Sequence, residues 1–401
     1  MSTTGTAAAP APPFRLVVVL VLATGIGPFA LQVFLPALPA IQAGFGVSAA
    51  SAQLVFSLSA FSIALSMLIY GPISDRVGRR PALIGGLAIF LAGSILCAVA
   101  ASIPVLIVGR IVQAAGGCAG LVLCRAIVRD LYSLERSASV LAYITMAMVA
   151  APMVAPALGG LLTDLAGWRS VFVAGAALGV LILVAVHRGL PETARDLDRN
   201  SSRHPLHGLG ALVRSPAFVG YALQGAFSIS VFYAFLAAAP FLMLTVMHRP
   251  ASEYGLMFIL VSGAFMVGNF IAGRYSALVG VRRMIVLGSL GALLGALGAL
   301  ILVSVGFWTP WAIFLPTSFG AFAQGVALPN TQAAFVSVDP QAAGTASGIG
   351  GFMQMGLAAL VAQIVGSIQD GTPYPMTIGM TLCAAAALIA ALAATRHRVG
   401  H

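Results

Sequence analysis

Few side chains in this chain could do chemistry, and the one in the most unusual place is Arg110. It lies near the middle of an apolar run, where a fixed cation costs about 2.5–3.5 kcal/mol on insertion scales. A guanidinium at that depth needs a partner, from helix carbonyls and Gln amides to an anion brought in from outside. Gln113 follows three residues later, on the same face of a helix. No acid shares that depth. Asp75, Asp130, Glu135, Asp164, Glu192, Asp196, Asp198, Glu253, Asp339 and Asp370 all fall at the ends of apolar runs or between them, as do the six His. A multispan membrane enzyme would need His and acids at metal-ligand spacing, or a nucleophile beside a base. No such set occurs, so neither a metal nor a cofactor is expected and the chain is read as no enzyme. Cys97, Cys118, Cys124 and Cys383 lie inside apolar runs without ligand spacing and read as small buried apolar residues.

The elements that carry these residues are set by composition. The chain has 401 residues, 60% hydrophobic and only 7% charged, with a mean hydropathy of +1.03. A soluble domain normally carries about 25% charged residues, so the solvent here is lipid. The net charge of +10 comes from twenty Arg and no Lys, placed between apolar runs rather than in a patch with interleaved aromatics. That excludes a nucleic-acid surface.

A spanning helix needs roughly 20 apolar residues. Twelve such runs are expected near 15–37, 50–72, 80–101, 104–128, 138–163, 168–187, 217–245, 253–275, 281–304, 308–330, 342–368 and 373–394. Arg15, Arg76, Arg79, Arg80, Arg129, Arg136, Arg188, Arg195, Arg199, Arg203, Arg214, Arg274, Arg282, Arg283, Arg396 and Arg398 alternate onto one side, with only Arg169 and Arg249 on the other. The positive-inside bias then puts both termini in the cytoplasm. Residues 1–13 read as a disordered cytoplasmic tail, 14–187 and 216–395 as two six-helix bundles, 188–215 as a solvated cytoplasmic linker and 396–401 as a second tail. A weak repeat supports the halves. Gln113 to Gly116 is matched by Gln324-Gly325, and Gly78-Arg79-Arg80 by Gly280-Val281-Arg282-Arg283. Duplicated bundles with a site between them are a common transporter plan.

The most specific motif is Gly71-Pro72-Ile73-Ser74-Asp75-Arg76-Val77-Gly78-Arg79-Arg80, between the second and third spans. Gly78 permits a sharp turn, and Arg79 and Arg80 anchor it on the inner face. The spacing of Gly71, Asp75, Arg76, Gly78, Arg79 and Arg80 resembles the loop signature of the major facilitator superfamily, an all-α membrane fold of twelve transmembrane helices in two six-helix bundles. That resemblance implies a conformational latch, with Asp75 facing the start of the eleventh span. Gly109 to Ala114 resembles the family's fourth-helix motif. Ala151 to Gly160, with Pro152, Pro156, Gly159 and Gly160, looks like the fifth-helix signature of exporters. With Leu35-Pro36-Ala37-Leu38-Pro39 and Arg125 to Tyr132, the pattern is similar to the Bcr/CflA drug-resistance exporters.

The resemblance implies an exporter of drug-like compounds in the bacterial inner membrane, monomeric and coupled to protons. In such exporters an acid in the first helix commonly carries the proton, but the matching position here is Gln32. Three explanations stay open: coupling at Asp130 or Asp75, a substrate that itself supplies the counter-charge to Arg110, or a facilitator without proton coupling. Export of a metabolite such as an amino acid or sugar derivative is the alternative activity. Alternating access between halves would place substrate near Gln32, Arg110, Gln113 and Tyr143 of the first half and Gln224, Phe227, Tyr233 and Gln354 of the second.

Overall fold

The computed structural model describes residues 14–131, 134–193, 209–339 and 343–396, with the backbone alone at 14, 134–139, 141–143, 145–150, 209, 343 and 395–396. The two expected tails and most of the linker lie outside the described residues. Among the described residues the regular structure is helical throughout: α1 (Phe14–Val33), a 3-10 turn (Leu35–Ala37), α2 (Leu38–Phe45), α3 (Ala49–Val77), α4 (Arg79–Ala98), α5 (Ile103–Leu131), α6 (Leu134–Ala166), α7 (Arg169–Gly189), α8 (Leu209–Arg214), α9 (Pro216–Phe241) ending in a π turn (Leu242–Val246), α10 (Ala251–Val279), α11 (Val281–Ser304), α12 (Pro310–Ser337), α13 (Ala343–Ser367) and α14 (Tyr374–Arg396). Among the described residues eleven helices are long and apolar enough to cross a membrane. The 33-residue α6, apolar over Ala151–Ala166, is the twelfth span.

The first span corrects the expected boundary at residue 37. The chain stays helical from Arg15 to Phe45. Pro36 and Pro39 sit at the first positions of the 3-10 turn and of α2, where a missing N–H breaks no helical bond. They are a joint inside the span rather than its exit. Most other spans run a few residues beyond their expected ends, α3 to Val77 and α12 to Ser337, because apolar length marks the hydrocarbon thickness and not the helix end.

Within the first half α1 packs on α5 and α6, α3 on α5, and α4 on α5 and α7. In the second half α9 packs on α13 and α14, α10 on α12, and α11 on α12 and α14. Equating α1 with α9, α3 with α10, α4 with α11, α5 with α12, α6 with α13 and α7 with α14 maps most of one set onto the other. The repeat is visible at single residues too. Gly78 and Gly280 are each the sole residue between two helices, at φ 102° and φ 93°. The halves meet along two main seams, α3 with α13 and α6 with α10. The same equivalence exchanges these seams.

Candidate functional site

Arg110 is 1% exposed and held inside the first half. Its Nη1 donates to the Ala30 carbonyl of α1 at 3.0 Å and to Gln113 Oε1 at 2.5 Å. Gln113 Nε2 donates to Ser94 Oγ at 2.8 Å, and that hydroxyl donates to the Phe90 carbonyl at 2.8 Å. The helical i, i+3 spacing thus makes Gln113 the bridge from Arg110 to α4. The guanidinium carbon lies 3.8 Å from the Phe34 ring centroid and 5.9 Å from that of Phe172. A desolvated cation gains about 2 kcal/mol from such faces. Nε and Nη2 of Arg110 have no partner among the described residues, nor has the buried Oε1 of Gln32.

Aromatic contacts lead from this cation to the other half. Phe34 meets Phe172 and Phe56, both at 6.3 Å between centroids, and Phe56 meets Tyr233 of α9 at 5.3 Å. Tyr233 donates to the Met355 sulfur on α13 at 3.3 Å. Gln224 lies inside the second bundle, donating to Ser289 Oγ at 3.0 Å and accepting from Thr331 Oγ1 at 2.5 Å. Gln354 is buried against Gly225 with Nε2 unpartnered among the described residues, and Phe227 is half-buried. The backbone of Tyr143 belongs to α6, and its side chain lies outside the described residues. Phe34, Phe56 and Phe172 were not singled out by sequence, since a Phe in a span carries no distinguishing pattern.

The turn between α3 and α4 is a charge cluster at the arginine-rich end. Arg79 Nη1 pairs with Asp75 Oδ1 at 2.5 Å and Nε with Asp130 Oδ2 at 3.0 Å. Asp75 is thereby held by its own motif through Arg79. The expectation that the linker is a solvated charge run fails at Glu192. Its carboxylate accepts from the Arg79 N–H at 3.0 Å and the Arg80 N–H at 3.3 Å, closing the start of α4. The first-turn amides of a helix carry positive partial charge and otherwise lack acceptors. Arg80 Nη2 donates to the His187 carbonyl at 2.8 Å, which ties the end of α7 to the same turn.

At the opposite, arginine-poor end the two halves are joined. Ser57 Oγ donates to Gln363 Oε1 at 2.5 Å, Gln363 Nε2 to the Ala50 carbonyl at 3.2 Å, and Ser252 N to Asp164 Oδ2 at 2.9 Å. Gln53, fully buried beside Gly366, leaves both amide atoms without partners among the described residues. Toward the arginine-rich end the α3–α13 seam continues as far as Leu68 and Gly348. Beyond it, a side-chain carbon at Gly71 or Gly344 would meet nothing within 4 Å among the described residues.

No group of three or more His, Cys, Asp or Glu that could hold a metal ion occurs among the described residues. The sequence profile of the Major Facilitator Superfamily matches residues 20–363. The chain belongs to that family. It is therefore a multi-pass membrane transporter of small molecules rather than an enzyme. Its similarity to a Haemophilus influenzae protein named as a bicyclomycin resistance protein homolog is 26% identity, covering 94% of this chain and 95% of the other. Multidrug resistance protein D of Escherichia coli K12 is 28% identical, with 91% and 92% covered. The uncharacterized MFS-type transporter YdgK of Bacillus subtilis is 28% identical over 94% of both chains. A D-xylose-proton symporter shares the fold at TM-score 0.77 and 15% identity, covering 94% of this chain and 96% of that one.

In this facilitator the Gly-rich stretch of α6 touches two helices at once. A side-chain carbon on Gly159 would collide with the Val33 carbonyl of α1, and one on Gly160 with the Ala251 carbonyl at the start of α10. Gly255 of α10 returns the contact, its added carbon reaching Pro156 O and Ala157 Cα at 2.5 Å. Small residues are how spanning helices reach such backbone contact. The buried Pro156 and the half-buried Pro152 lie in the same stretch.

Proposed function

We propose that this facilitator exports drug-like compounds by alternating access between halves 14–187 and 216–395, as proton antiport, from the bacterial inner membrane and as a monomer. The observation that carries the reading is the asymmetry of the seams. Among the described residues, glycine-lined backbone contacts and three hydrogen bonds join the halves at the arginine-poor end, whereas a side-chain carbon at Gly71 or Gly344, toward the other end, would meet nothing within 4 Å. With the arginine-rich end and both termini in the cytoplasm, this is a conformation closed outward. The names of the relatives in Haemophilus influenzae and Escherichia coli favour drugs as cargo.

Substrate contact is assigned to the faces around Gln32, Phe227, Tyr233 and Gln354, with Arg110 behind Phe34. Gln113 and Gln224 use their amides to bind bundle neighbours, so they act on cargo through those neighbours. The latch is the Asp75–Arg79–Asp130 cluster, with Gly78 as its turn. Proton coupling at Asp130 or Asp75 requires the Arg79 pairs to open during the cycle. A drug-susceptibility panel in an efflux-deficient host tests the reading, comparing wild type with Asp75→Asn and Arg110→Ala. Resistance to unrelated compounds, lost in both variants, supports export; unchanged susceptibility despite membrane expression rejects it.

The second reading is metabolite export without proton coupling. It is favoured by Gln32, which cannot titrate, where the resembling exporters hold an acid. Proton flux in inverted vesicles separates the two. Substrate uptake with no pH response leaves only the uncoupled transporter.

A further inference from the structure

Arg110 spends its hydrogen bonds unevenly. Nη1 makes both of its hydrogen bonds, to the Ala30 carbonyl and to Gln113, while Nε and Nη2 are buried without partners among the described residues. On a planar guanidinium the Nε–H and one Nη2–H lie side by side and point the same way, forming the fork that takes a carboxylate through two parallel bonds. The Phe34 ring centroid lies 3.8 Å from the guanidinium carbon, so an aromatic ring covers one side of the group, and the Nε–Nη2 pair is what stays unpaired among the described residues. A buried donor pair with no acceptor is unfavourable. By sequence each of the ten acids falls at the end of an apolar run or between runs, and Gln32 adds an amide without a charge. Phe34 itself precedes the 3-10 turn that interrupts the first span, so the residue covering the guanidinium stands at a joint rather than in an unbroken helix.

We propose that the free edge of Arg110 is the counter-charge for a planar organic carboxylate on the transported compound, and that the site discriminates against cationic cargo. The inference rests on the export reading only for the compound's passage; binding itself is independent of it. A cation entering this region would meet a guanidinium with no neighbouring carboxylate. A neutral amide would supply one acceptor to a fork built for two. A carboxylate satisfies both N–H groups and neutralises the charge.

The test uses the full-length protein in nanodiscs of a zwitterionic lipid, titrated calorimetrically with 2-naphthoate, 2-naphthamide and 2-naphthylmethylammonium. The naphthoate should bind at least about tenfold tighter than the amide, and the ammonium compound weakest. Arg110→Gln should abolish the carboxylate preference, and Arg110→Lys, which keeps the charge and loses the fork, should retain part of it. Equal binding of naphthoate and naphthamide to wild type overturns the proposal, as does no binding of naphthoate or a preference that survives Arg110→Gln. Should Arg110→Gln fail to fold, the wild-type ratio and Arg110→Lys decide. Efflux of the same three compounds from vesicles is measured separately. A carboxylate preference without transport leaves the site standing and removes the export reading.

Discussion

The carboxylate of Glu192 occupies the space that a side chain on Gly78 would need. A carbon added to Gly78 would lie 2.6 Å from Glu192 Oε2, and the backbone there has φ 102°, open to glycine alone. The α3–α4 turn and the end of the first half are therefore a single piece, since the same carboxylate accepts from the first amides of α4.

Gly78→Ala should for that reason fail twice, through backbone strain of about 1–3 kcal/mol and through expulsion of Glu192. Glu192→Gln keeps an acceptor and loses the charge at the helix start, about 0.3–1 kcal/mol. Thermal unfolding of the purified protein should rank Gly78→Ala below Glu192→Gln, and both below wild type. Gly78→Ala matching wild type would show that the turn tolerates a side chain and that the Glu192 contact is incidental.

Adjacent glycines in α6 should separate stability from conformational balance. Gly159 packs against α1 of its own half and Gly160 against α10 of the other. Gly159→Ala should lower the unfolding temperature. Gly160→Ala should instead push the halves apart at the arginine-poor end, by making that seam unfavourable. Spin labels attached through Ala43→Cys and Ile368→Cys, at exposed sites on the two halves, would read the separation. A Gly160→Ala distance distribution identical to wild type would remove this seam from the switch.

How much of this was legible in the sequence depends on the range of the contact. Twelve spans follow from apolar length, and Gly78 could be read from its spacing because a one-residue turn is a local requirement. Pro36 and Pro39 misled, since a proline that opens a new helical turn has the same composition as one that ends a span. Gln113 and Gln224 looked like cavity residues because an amide in hydrocarbon needs partners. The partners turned out to be Ser94, Ser289 and Thr331 on neighbouring helices, which no local pattern announces. Glu192 was hidden for the same reason: within a charge run, nothing local marks a carboxylate that folds back.

The two carboxylates on Arg79 should not be equivalent. Asp75 is four residues away on a helix end with its side chain 54% exposed, while Asp130 comes from α5 and is 28% exposed. Exposed i, i+4 pairs contribute about 0.3–0.5 kcal/mol, and solvent screens them further. A double-mutant cycle on unfolding should therefore give a larger coupling for Arg79→Gln with Asp130→Asn than for Arg79→Gln with Asp75→Asn. Equal couplings would mean that α5 is not held to the turn by this pair.

Gln53 offers the sharpest separation of stability from activity. Its amide is fully buried at the seam with α13, and neither the oxygen nor the nitrogen has a partner among the described residues. An unsatisfied buried polar group costs about 1–3 kcal/mol, while an apolar group of similar shape avoids that penalty. Gln53→Leu should accordingly stabilise the closed arginine-poor end and raise the unfolding temperature by a few degrees. The same gain opposes the opening that the proposed alternating access requires, because water reaching the amide would relieve the penalty in wild type. Turnover should then fall several-fold while the protein becomes harder to unfold. Gln53→Ala serves as the control: it also removes the amide but leaves a void beside Gly366, so it should not stabilise. If Gln53→Leu unfolds at or below the wild-type temperature, the amide has a partner at the seam. If it is stabilised with full turnover, opening at that end does not limit the cycle.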